Sequence, residues 1–228
     1  MHASDLFSLP DSLDLLNEYF KGDEAPWKWL SAIAQALKNT PTRNLPKHAS
    51  IPPGVSIKGL VYITPSVTLP PYARLEGPAW IGPGTEIRPG AYIRGNVIIG
   101  ANCVIGNACE YKNCLLMDDV ETPHYNYVGD SILGNGAHLG AGVICSNLRL
   151  DRGHVQAHTP TGRIPTDRKK LGAIVGEAAE VGSNASLQPG TILGKRAVVM
   201  PGLAYGGYLE DEHIVSISHS FQTRKRRD

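Results

Sequence analysis

An aliphatic side chain recurs every six residues through the middle of this 228-residue chain. From Ile57 the series continues through Ile63, Leu69, Leu75, Ile81, Ile87, Ile93, Ile99 and Ile105 to Tyr111 and Met117. A small or β-branched residue stands two places before each member from Ile57 to Tyr111, and Gly or Pro commonly follows the aliphatic residue. A period of six fits neither an α-helix nor an amphipathic strand, and it is typical of parallel β-helices in which each hexapeptide forms one face. The repeat therefore predicts an all-β, three-faced solenoid in which residues 18 apart stack.

Two stretches interrupt the period. The segment TPHYNYVGDS, residues 122–131, is the first, and the period resumes after it at Leu133, shifted in phase. The second lies near 146–170, where a polar segment with two prolines fits no hexapeptide and predicts an excursion loop. We expect a β-helix over 51–205, an N-terminal helical cap of two short helices over 1–45, and a C-terminal tail over 206–228. The cap is expected to cover an open end or an oligomer contact, with partner or substrate binding as the alternative.

Composition limits the function classes. The net charge is +1 and 42% of residues are hydrophobic, which excludes a disordered chain and argues against nucleic acid as a partner. No apolar run approaches the length of a membrane span, and the N-terminus lacks the features of a secretory signal. We therefore expect a cytoplasmic protein without a membrane partner. The four cysteines show no C-x-x-C pairing, so we expect free thiols rather than disulfides or metal ligands.

The run CEYKNCLLMDDVETPHYNYVGDSILGNGAHLGAGVICSN, followed by KKLGAIVGEAAEVGS, resembles the acetyltransferase domain of the bifunctional glucosamine-1-phosphate N-acetyltransferase / N-acetylglucosamine-1-phosphate uridyltransferase family of hexapeptide-repeat transferases. The resemblance covers about residues 75–203. It implies a left-handed β-helix, a homotrimer with active sites between neighbouring subunits, and acetyl-CoA as the donor substrate, with no metal required. Because nothing before residue 51 has the length or the glycines of the family's nucleotide-binding domain, we do not expect pyrophosphorylase activity.

Acetyl transfer to a sugar amine requires a base, and histidine suits that role near neutral pH. His124 follows Pro123 and matches the histidine proposed as the family's catalytic base. The resemblance implies that Tyr127 contacts the amino sugar. Glu110 is expected either to orient His124 or to bind a sugar hydroxyl, and a surface carboxylate is the alternative.

The sugar phosphate requires fixed positive charge. Lys112 and Arg94 are 18 residues apart, which predicts that they lie on one face in successive coils. The family has an arginine and a lysine at the same separation, so the resemblance favours Arg94 over Arg88. By resemblance, Lys170 also lies near the phosphate. Three further residues match family positions: Asn147 for the sugar, His138 where the family often has an asparagine, and Ser183 beside the thioester.

Three alternatives remain open. In the first alternative, the acceptor is another amino sugar or a nucleotide-linked sugar. In the second, the β-helix is a non-catalytic scaffold. A zinc-dependent β-helical carbonic anhydrase is the third, and it needs three histidines converging at one subunit interface. His154 and His158 lie in the excursion loop instead of on a coil, which argues against this alternative.

Overall fold

The computed structural model describes residues 1–41, 45, 47–48, 50–218 and 223–225. Within these residues the chain winds into a parallel β-helix with three flat faces, which we name A, B and C. This confirms the left-handed parallel β-helix of hexapeptide repeats that the sequence predicts. Each face is a parallel sheet built from one short strand of every coil.

The strands of the described residues are numbered in chain order. Face A contains β1 (Gly54–Lys58), β3 (Tyr72–Glu76), β6 (Tyr92–Arg94), β9 (Glu110–Lys112), β12 (Tyr127–Gly129), β15 (Ile144–Cys145), β20 (Ser186–Leu187) and β23 (Ala204–Tyr205). Face B contains β2 (Val61–Ile63), β4 (Ala79–Ile81), β7 (Val97–Ile99), β10 (Cys114–Leu116), β13 (Ile132–Leu133), β18 (Ile174–Val175), β21 (Ile192–Leu193) and β24 (Tyr208–Leu209). Face C contains β5 (Glu86–Ile87), β8 (Val104–Asn107), β11 (Glu121–His124), β14 (His138–Leu139), β19 (Glu180–Val181), β22 (Val198–Val199) and β25 (Ile214–Val215).

The repeat residues fill the interior of the solenoid. Most residues of the aliphatic and small series point inward and form one continuous buried cluster, with Leu75, Ile93 and Tyr111 stacked in successive coils of face A. Parallel strands pair about 4.8 Å apart, so equivalent side chains of successive coils lie in contact. This continuous contact along the axis explains why a short hexapeptide suffices for each face.

The corner between faces A and B shortens in the middle of the solenoid. Tyr92 pairs with Glu110, 18 residues later, whereas Val97 pairs with Cys114, 17 residues later. The shortened corners each contain one residue in the left-handed region, Asn113 (φ 47°) and then Asp130 (φ 50°). Asn and Asp tolerate this conformation better than other side chains. The excursion leaves the next coil at the same corner.

The segment 122–131 follows the solenoid and does not leave it. Thr122 pairs with Ile105 on face C and Val128 pairs with Tyr111 on face A, so the predicted interruption at this place is wrong. The inward position of Thr122 is possible because its hydroxyl lies 2.6 Å from the buried Tyr111 hydroxyl, which also accepts the Gly106 N–H. A buried polar group is stable when it is hydrogen-bonded in this way.

The shortened corner also changes which residue follows Tyr111 in the interior. Leu116 pairs with Ile99 and points into the solenoid. Met117, which the strict period of six predicts there, belongs instead to the cluster outside face B. A deletion of one residue at a corner shifts the phase of every later residue, and this deletion is the true irregularity of the region.

Four helical segments occur in the described part of the N-terminal region. They are the 3-10 helices Ala3–Asp5, Asp11–Tyr19 and Pro26–Lys28 and the α-helix α1, Trp29–Asn39. They pack along face B, where their side chains bury outward-pointing residues of successive coils: Tyr62, Trp80, Ile98, Leu115, Ile132, Ile174 and Ile192. The helices therefore cover a face of the solenoid, and the prediction of a cap over its open end is wrong.

Polar contacts fix the helical region at the corner between faces B and C. The Asn135 amide donates to the Ser8 carbonyl at 2.7 Å, and the Ser8 N–H donates to Glu177 at 2.5 Å. The hydroxyl of Ser12 donates to Asp118, whose carboxylate also accepts the N–H of Ala101 at 2.7 Å. These contacts hold the N-terminal region in one position on face B.

The excursion forms an antiparallel hairpin of β16 (Val155–Thr159) and β17 (Gly162–Arg168). The last coil continues through β24 and β25 to Val215, so the predicted tail over 206–228 begins too early. Residues 219–222 and 226–228 of that tail lie outside the described residues. The four cysteines are buried free thiols, as predicted. In the described residues, no helix is both long and apolar enough to cross a membrane.

Candidate active site

Arg94 and Glu110 form the first part of a polar cluster on the outer side of face A. Arg94 ends β6 and Glu110 begins β9, one coil further along, and their side chains meet with Nη1 2.6 Å from Oε1. The Tyr92 ring supports the guanidinium from below, with its centroid 5.8 Å from Cζ of Arg94. The two charged side chains are 41% and 36% exposed, so solvent or a ligand can reach both.

Lys112 and Asp130 form the second part, at the shortened corner between faces A and B. The Lys112 ammonium lies 3.2 Å from the Asp130 carboxylate, which is 5% exposed. The same carboxylate accepts the Asn113 amide at 2.8 Å and the Asn147 amide at 2.7 Å. A carboxylate can be buried when donors satisfy its oxygens, and three side chains do so here.

Tyr127 and Asn147 complete the cluster, in the next two coils. The Asn147 amide donates to the Tyr127 hydroxyl at 3.1 Å as well as to Asp130. Burial raises the pKa of Tyr127, and the hydrogen bond from Asn147 partly offsets the rise. Tyr127 therefore keeps its proton at neutral pH and remains a hydrogen-bond donor. We define the polar cluster as Arg94, Glu110, Lys112, Tyr127, Asp130 and Asn147.

Gly129 allows Tyr127 and Asn147 to meet. A Cβ atom built on Gly129 would collide with the Tyr127 hydroxyl and would lie 2.7 Å from Nδ2 of Asn147. Real Cβ atoms do not approach other heavy atoms so closely, so any larger residue here would displace one of the two side chains. The absence of a side chain at Gly129 is thus a condition of the cluster's geometry.

Arg168 and Lys170 approach this corner from the end of the excursion hairpin. Arg168 donates to the Ser31 hydroxyl of α1 at 2.6 Å and to the Lys170 carbonyl at 3.3 Å. Burial lowers the pKa of Arg168, and the charge of Asp130 partly offsets that effect. Lys170 is exposed, and among the described residues its ammonium has no carboxylate partner. Arg168 therefore brings a positive charge close to Asp130, and the backbone of Lys170 pairs with Leu148, the residue after Asn147.

His124 lies on the opposite edge of face A, where β11 ends and the chain turns into β12. Its backbone N–H donates to Oδ1 of Asn126 at 3.2 Å, and its backbone carbonyl accepts the Gly142 N–H at 2.9 Å. Asn126 is itself buried and donates to the Gly140 carbonyl at 2.8 Å. The His124 imidazole is exposed and forms no hydrogen bond with any residue that the structure describes. The backbone is thus fixed while the ring remains available to a ligand.

Comparisons with known proteins show which proteins the chain is similar to. The chain is 33% identical to the bifunctional protein GlmU of Methanococcus vannielii, over 92% of the chain and 50% of that protein. It is 32% identical to GlmU of Methanococcus aeolicus, over 88% of the chain and 48% of that protein. The chain is related to the bifunctional GlmU proteins. The resemblance seen in the sequence is confirmed, and the chain spans about half the length of these relatives.

Two further similarities cover less of the chain. Residues 75–159 match the family model described as the GMPPB C-terminal domain. A putative uncharacterized acetyltransferase of Escherichia coli, YaiX, is 36% identical over 46% of the chain and 48% of that protein. The solved structure of the polysialic acid O-acetyltransferase OatWY is 14% identical, covers 74% of the chain and 93% of its own, and superposes with a TM-score of 0.32. The fold assignment rests on the strand pairing described above and not on this superposition.

The remaining predicted residues lie on face C. His138, in β14, and Ser183, after β19, line one groove of about 270 Å³ together with Glu180, Met200 and Pro201. His138 is half-buried and Ser183 is exposed. Within one chain, therefore, the predicted site residues divide between the polar cluster on face A and this groove on face C, with His124 at the edge between them.

Glu110 and Arg88 each pair with an oppositely charged neighbour. The Glu110 carboxylate accepts a hydrogen bond from Nη1 of Arg94 at 2.6 Å and forms none with His124, so a role for Glu110 in orienting His124 stays a prediction. Arg88, the weaker phosphate candidate, lies on face C and pairs with Glu86 at 3.1 Å. The predicted proximity of Arg94 and Lys112 agrees with the strand register, but each cation turns to its own carboxylate.

Four residues of the site escaped the sequence analysis: Asp130, Gly129, Asn126 and Arg168. Gly129 and Asp130 stand within the run YVGDS. The signal that could have identified Asp130 is an acidic residue at the place where the period of six loses a residue. Asn126 occupies a position where the repeat expects a small apolar residue, which marks it as a buried polar group. No signal in the sequence shows that Arg168 reaches this corner, because its contact with Ser31 joins residues 137 positions apart.

In the described residues, no group of three or more His, Cys, Asp and Glu side chains is placed to hold a metal ion. His158 lies on the hairpin, where burial and the nearby Arg163 lower its pKa. It lines a cavity of about 540 Å³ between the hairpin and the end of face A, together with Arg149, Leu150 and Gln188.

Proposed function

We propose that this chain is an acetyl-CoA-dependent N-acetyltransferase that acetylates the amine of glucosamine 1-phosphate or a related amino-sugar phosphate. The observation that carries the proposal is the placement of His124: an exposed imidazole on a fixed backbone, at the edge of face A where the chain enters β12 and Tyr127. The relationship to GlmU proteins supports it. So does the name of a Sulfurisphaera tokodaii relative, a bifunctional sugar-1-phosphate nucleotidylyltransferase/acetyltransferase, which is 37% identical over 43% of the chain and 24% of that protein.

In the proposed reaction, His124 acts as the general base. The imidazole removes a proton from the sugar ammonium, the neutral amine nitrogen forms a bond to the thioester carbonyl carbon, and the nitrogen then releases a second proton to water. The carbon–sulfur bond then breaks, and the imidazolium returns its proton to the leaving thiolate. The products are the N-acetyl sugar and free coenzyme A. An imidazole without a competing hydrogen bond is suited to this exchange, because no partner must be displaced before the proton moves.

The sugar phosphate is proposed to bind Arg94, Lys112 and Lys170. Arg94 and Glu110 are both well exposed, so a phosphate can replace the carboxylate at low cost while water solvates Glu110. Lys170 has no carboxylate to displace among the described residues. Tyr127 and Asn147 are proposed to contact the sugar, and Glu110 is then free to accept a sugar hydroxyl.

The active enzyme is proposed to be a homotrimer. The helical region covers face B, so faces A and C are the ones available to neighbours. We propose that the face C groove of one chain, with His138 and Ser183, lies against the His124 edge and face A of the next. The acetyl-CoA thioester would then lie beside Ser183, and each site would draw residues from two chains. No metal takes part in the proposed transfer.

An acceptor panel tests the proposal. The purified chain is mixed with acetyl-CoA and, separately, glucosamine 1-phosphate, glucosamine 6-phosphate and a UDP-linked amino sugar, and thiol release is measured. We expect saturable turnover with glucosamine 1-phosphate. Preference for another amino sugar would favour the alternative acceptor. His138, which stands where the family often has an asparagine, is the residue that suggests this alternative. Absence of saturable coenzyme A binding by calorimetry would contradict the enzyme and favour a scaffold.

A further inference from the structure

The Asp130 carboxylate determines which way the Asn147 amide faces. A carboxylate only accepts hydrogen bonds, so the Asn147 atom that lies 2.7 Å from it must be the nitrogen. The hydrogen-bond partner therefore distinguishes the nitrogen from the oxygen of the Asn147 amide, which the shape of the amide alone does not. Because the Asp130 side chain is 5% exposed and accepts from Lys112 and Asn113 as well, it cannot rotate away without leaving those donors unpaired.

The second N–H of the same amide is also committed. It donates to the Tyr127 hydroxyl oxygen at 3.1 Å. With both side-chain hydrogens used, the Asn147 side chain can offer a ligand only its carbonyl oxygen, Oδ1. This Oδ1 atom accepts no hydrogen bond from any residue that the structure describes. The Tyr127 oxygen accepts from Asn147, so its own hydrogen is directed elsewhere. Gly129 preserves this pairing, since a Cβ there would separate the two side chains.

We propose that Asp130 is a specificity-determining residue: by fixing the Asn147 amide, it makes the polar cluster present a carbonyl and so select an amine over a hydroxyl in the sugar. This inference rests on the proposed function. An ammonium only donates, so it binds a carbonyl and is rejected by an amide N–H. A hydroxyl donates or accepts, so it tolerates either orientation. The discrimination therefore depends on the amide being unable to turn.

The test compares two ligands that differ only in this group, glucosamine 1-phosphate and glucose 1-phosphate. Their dissociation constants are measured by calorimetry for the wild type and for Asp130→Asn, which has nearly the same shape but can both donate and accept. We expect the preference for the amine over the hydroxyl to fall about tenfold in Asp130→Asn, equivalent to about 1.4 kcal/mol. A purely structural role would weaken both ligands equally and leave the ratio unchanged.

Asp151→Asn is the matched control. It makes the same chemical change at an exposed carboxylate that pairs with Arg149 on the excursion loop, and we expect the wild-type ratio. If Asp130→Asn does not fold, the double variant Lys112→Met/Asp130→Asn removes both charges of the ion pair, so neither is left without the other. Loss of Lys112 weakens both phosphates alike, so the ratio is still expected to fall.

The outcomes separate this inference from the proposed function. An unchanged ratio in a variant that still acetylates glucosamine 1-phosphate overturns the role of Asp130 and leaves the enzyme assignment intact. Failure of the wild type to bind either sugar phosphate overturns both. A reduced ratio with unchanged affinity for coenzyme A supports the proposal, because it confines the effect to the sugar amine.

Discussion

The Lys112 ammonium lies 3.2 Å from the buried Asp130 carboxylate. The cation proposed to bind phosphate is therefore already paired before any ligand arrives. Asn113 and Asn147 donate to the same carboxylate from neighbouring coils. This ion pair links three coils at the shortened corner, so it contributes to both the stability of the solenoid and the geometry of the site.

A double-mutant cycle measures that link. Lys112→Met and Asp130→Asn are each expected to lower the free energy of unfolding by about 1–3 kcal/mol, since each leaves a partly buried group without its partner. The double variant is expected to lose less than the sum of the two, by about 1 kcal/mol or more. Urea unfolding measures all four proteins. Strict additivity would show that the pair contributes nothing beyond its separate groups.

The close approach at Gly129 predicts a loss of activity without loss of the fold. In Gly129→Ala the new methyl group displaces Tyr127 or Asn147, and a displacement of about 1 Å at a site can reduce turnover by up to about 100-fold. We expect at least a tenfold fall in kcat/KM for the sugar with an unchanged KM for acetyl-CoA. Gly22→Ala is the control, because its new methyl group would meet Ser4 at an ordinary 3.5 Å. Equal kinetics for the two variants would contradict the packing argument.

The N-terminal helical region is expected to be essential to stability. Trp29 is buried against Phe7 and Phe20, with ring centroids 5.7 and 5.4 Å apart. Trp29→Ala should lower the free energy of unfolding by about 3–5 kcal/mol, the usual range for such a cavity. Leu15→Ala, at a side chain that is 53% exposed, should change it by about 0.5 kcal/mol or less. Similar losses in both variants would contradict the burial of Trp29 in the N-terminal helical region.

Alkaline pH should destabilise the protein through its buried thiols. Burial raises the pKa of Cys103 and of Cys145 from 9.0 to about 12. The unfolded chain therefore loses these protons first, so their contribution is complete below pH 9 and declines as pH rises toward 12. The variant Cys103→Ala/Cys145→Val should show a decline shallower by up to about 2.8 kcal/mol per pH unit, about 1.4 for each thiol. Parallel curves for variant and wild type would contradict the burial of these thiols.

The six-residue period was sufficient to predict the solenoid, its three faces and the excursion. It was not sufficient at Asn113 and Asp130, where a corner loses one residue, because the inward series carries no mark of a deletion until later positions fall out of phase. The strict count consequently placed Met117 inside, where the structure has Leu116. The break assigned to residues 122–131 was a second result of the same shift.

The covering of face B was visible in the sequence but not recognised. Its outward positions, Tyr62, Trp80, Ile98 and Leu115, are all large and apolar at intervals of one coil, and an exposed apolar stripe of this length requires a partner. The charge pairing in the polar cluster was harder to predict from the sequence. Register places Arg94 below Lys112, but each side chain turns to an acidic residue 16 or 18 positions away, and backbone spacing alone does not decide between such partners.

The central claim is that the His124 imidazole removes the proton from the sugar amine. The most direct test is the steady-state rate of acetyl transfer to glucosamine 1-phosphate by His124→Ala, with His213→Ala as a control at another exposed histidine. We expect kcat to fall by about two to four powers of ten in His124→Ala, the range for losing a general base, with an unchanged oligomeric state and a control near the wild-type rate. A kcat for His124→Ala close to that of the wild type would contradict the proposed role of the imidazole.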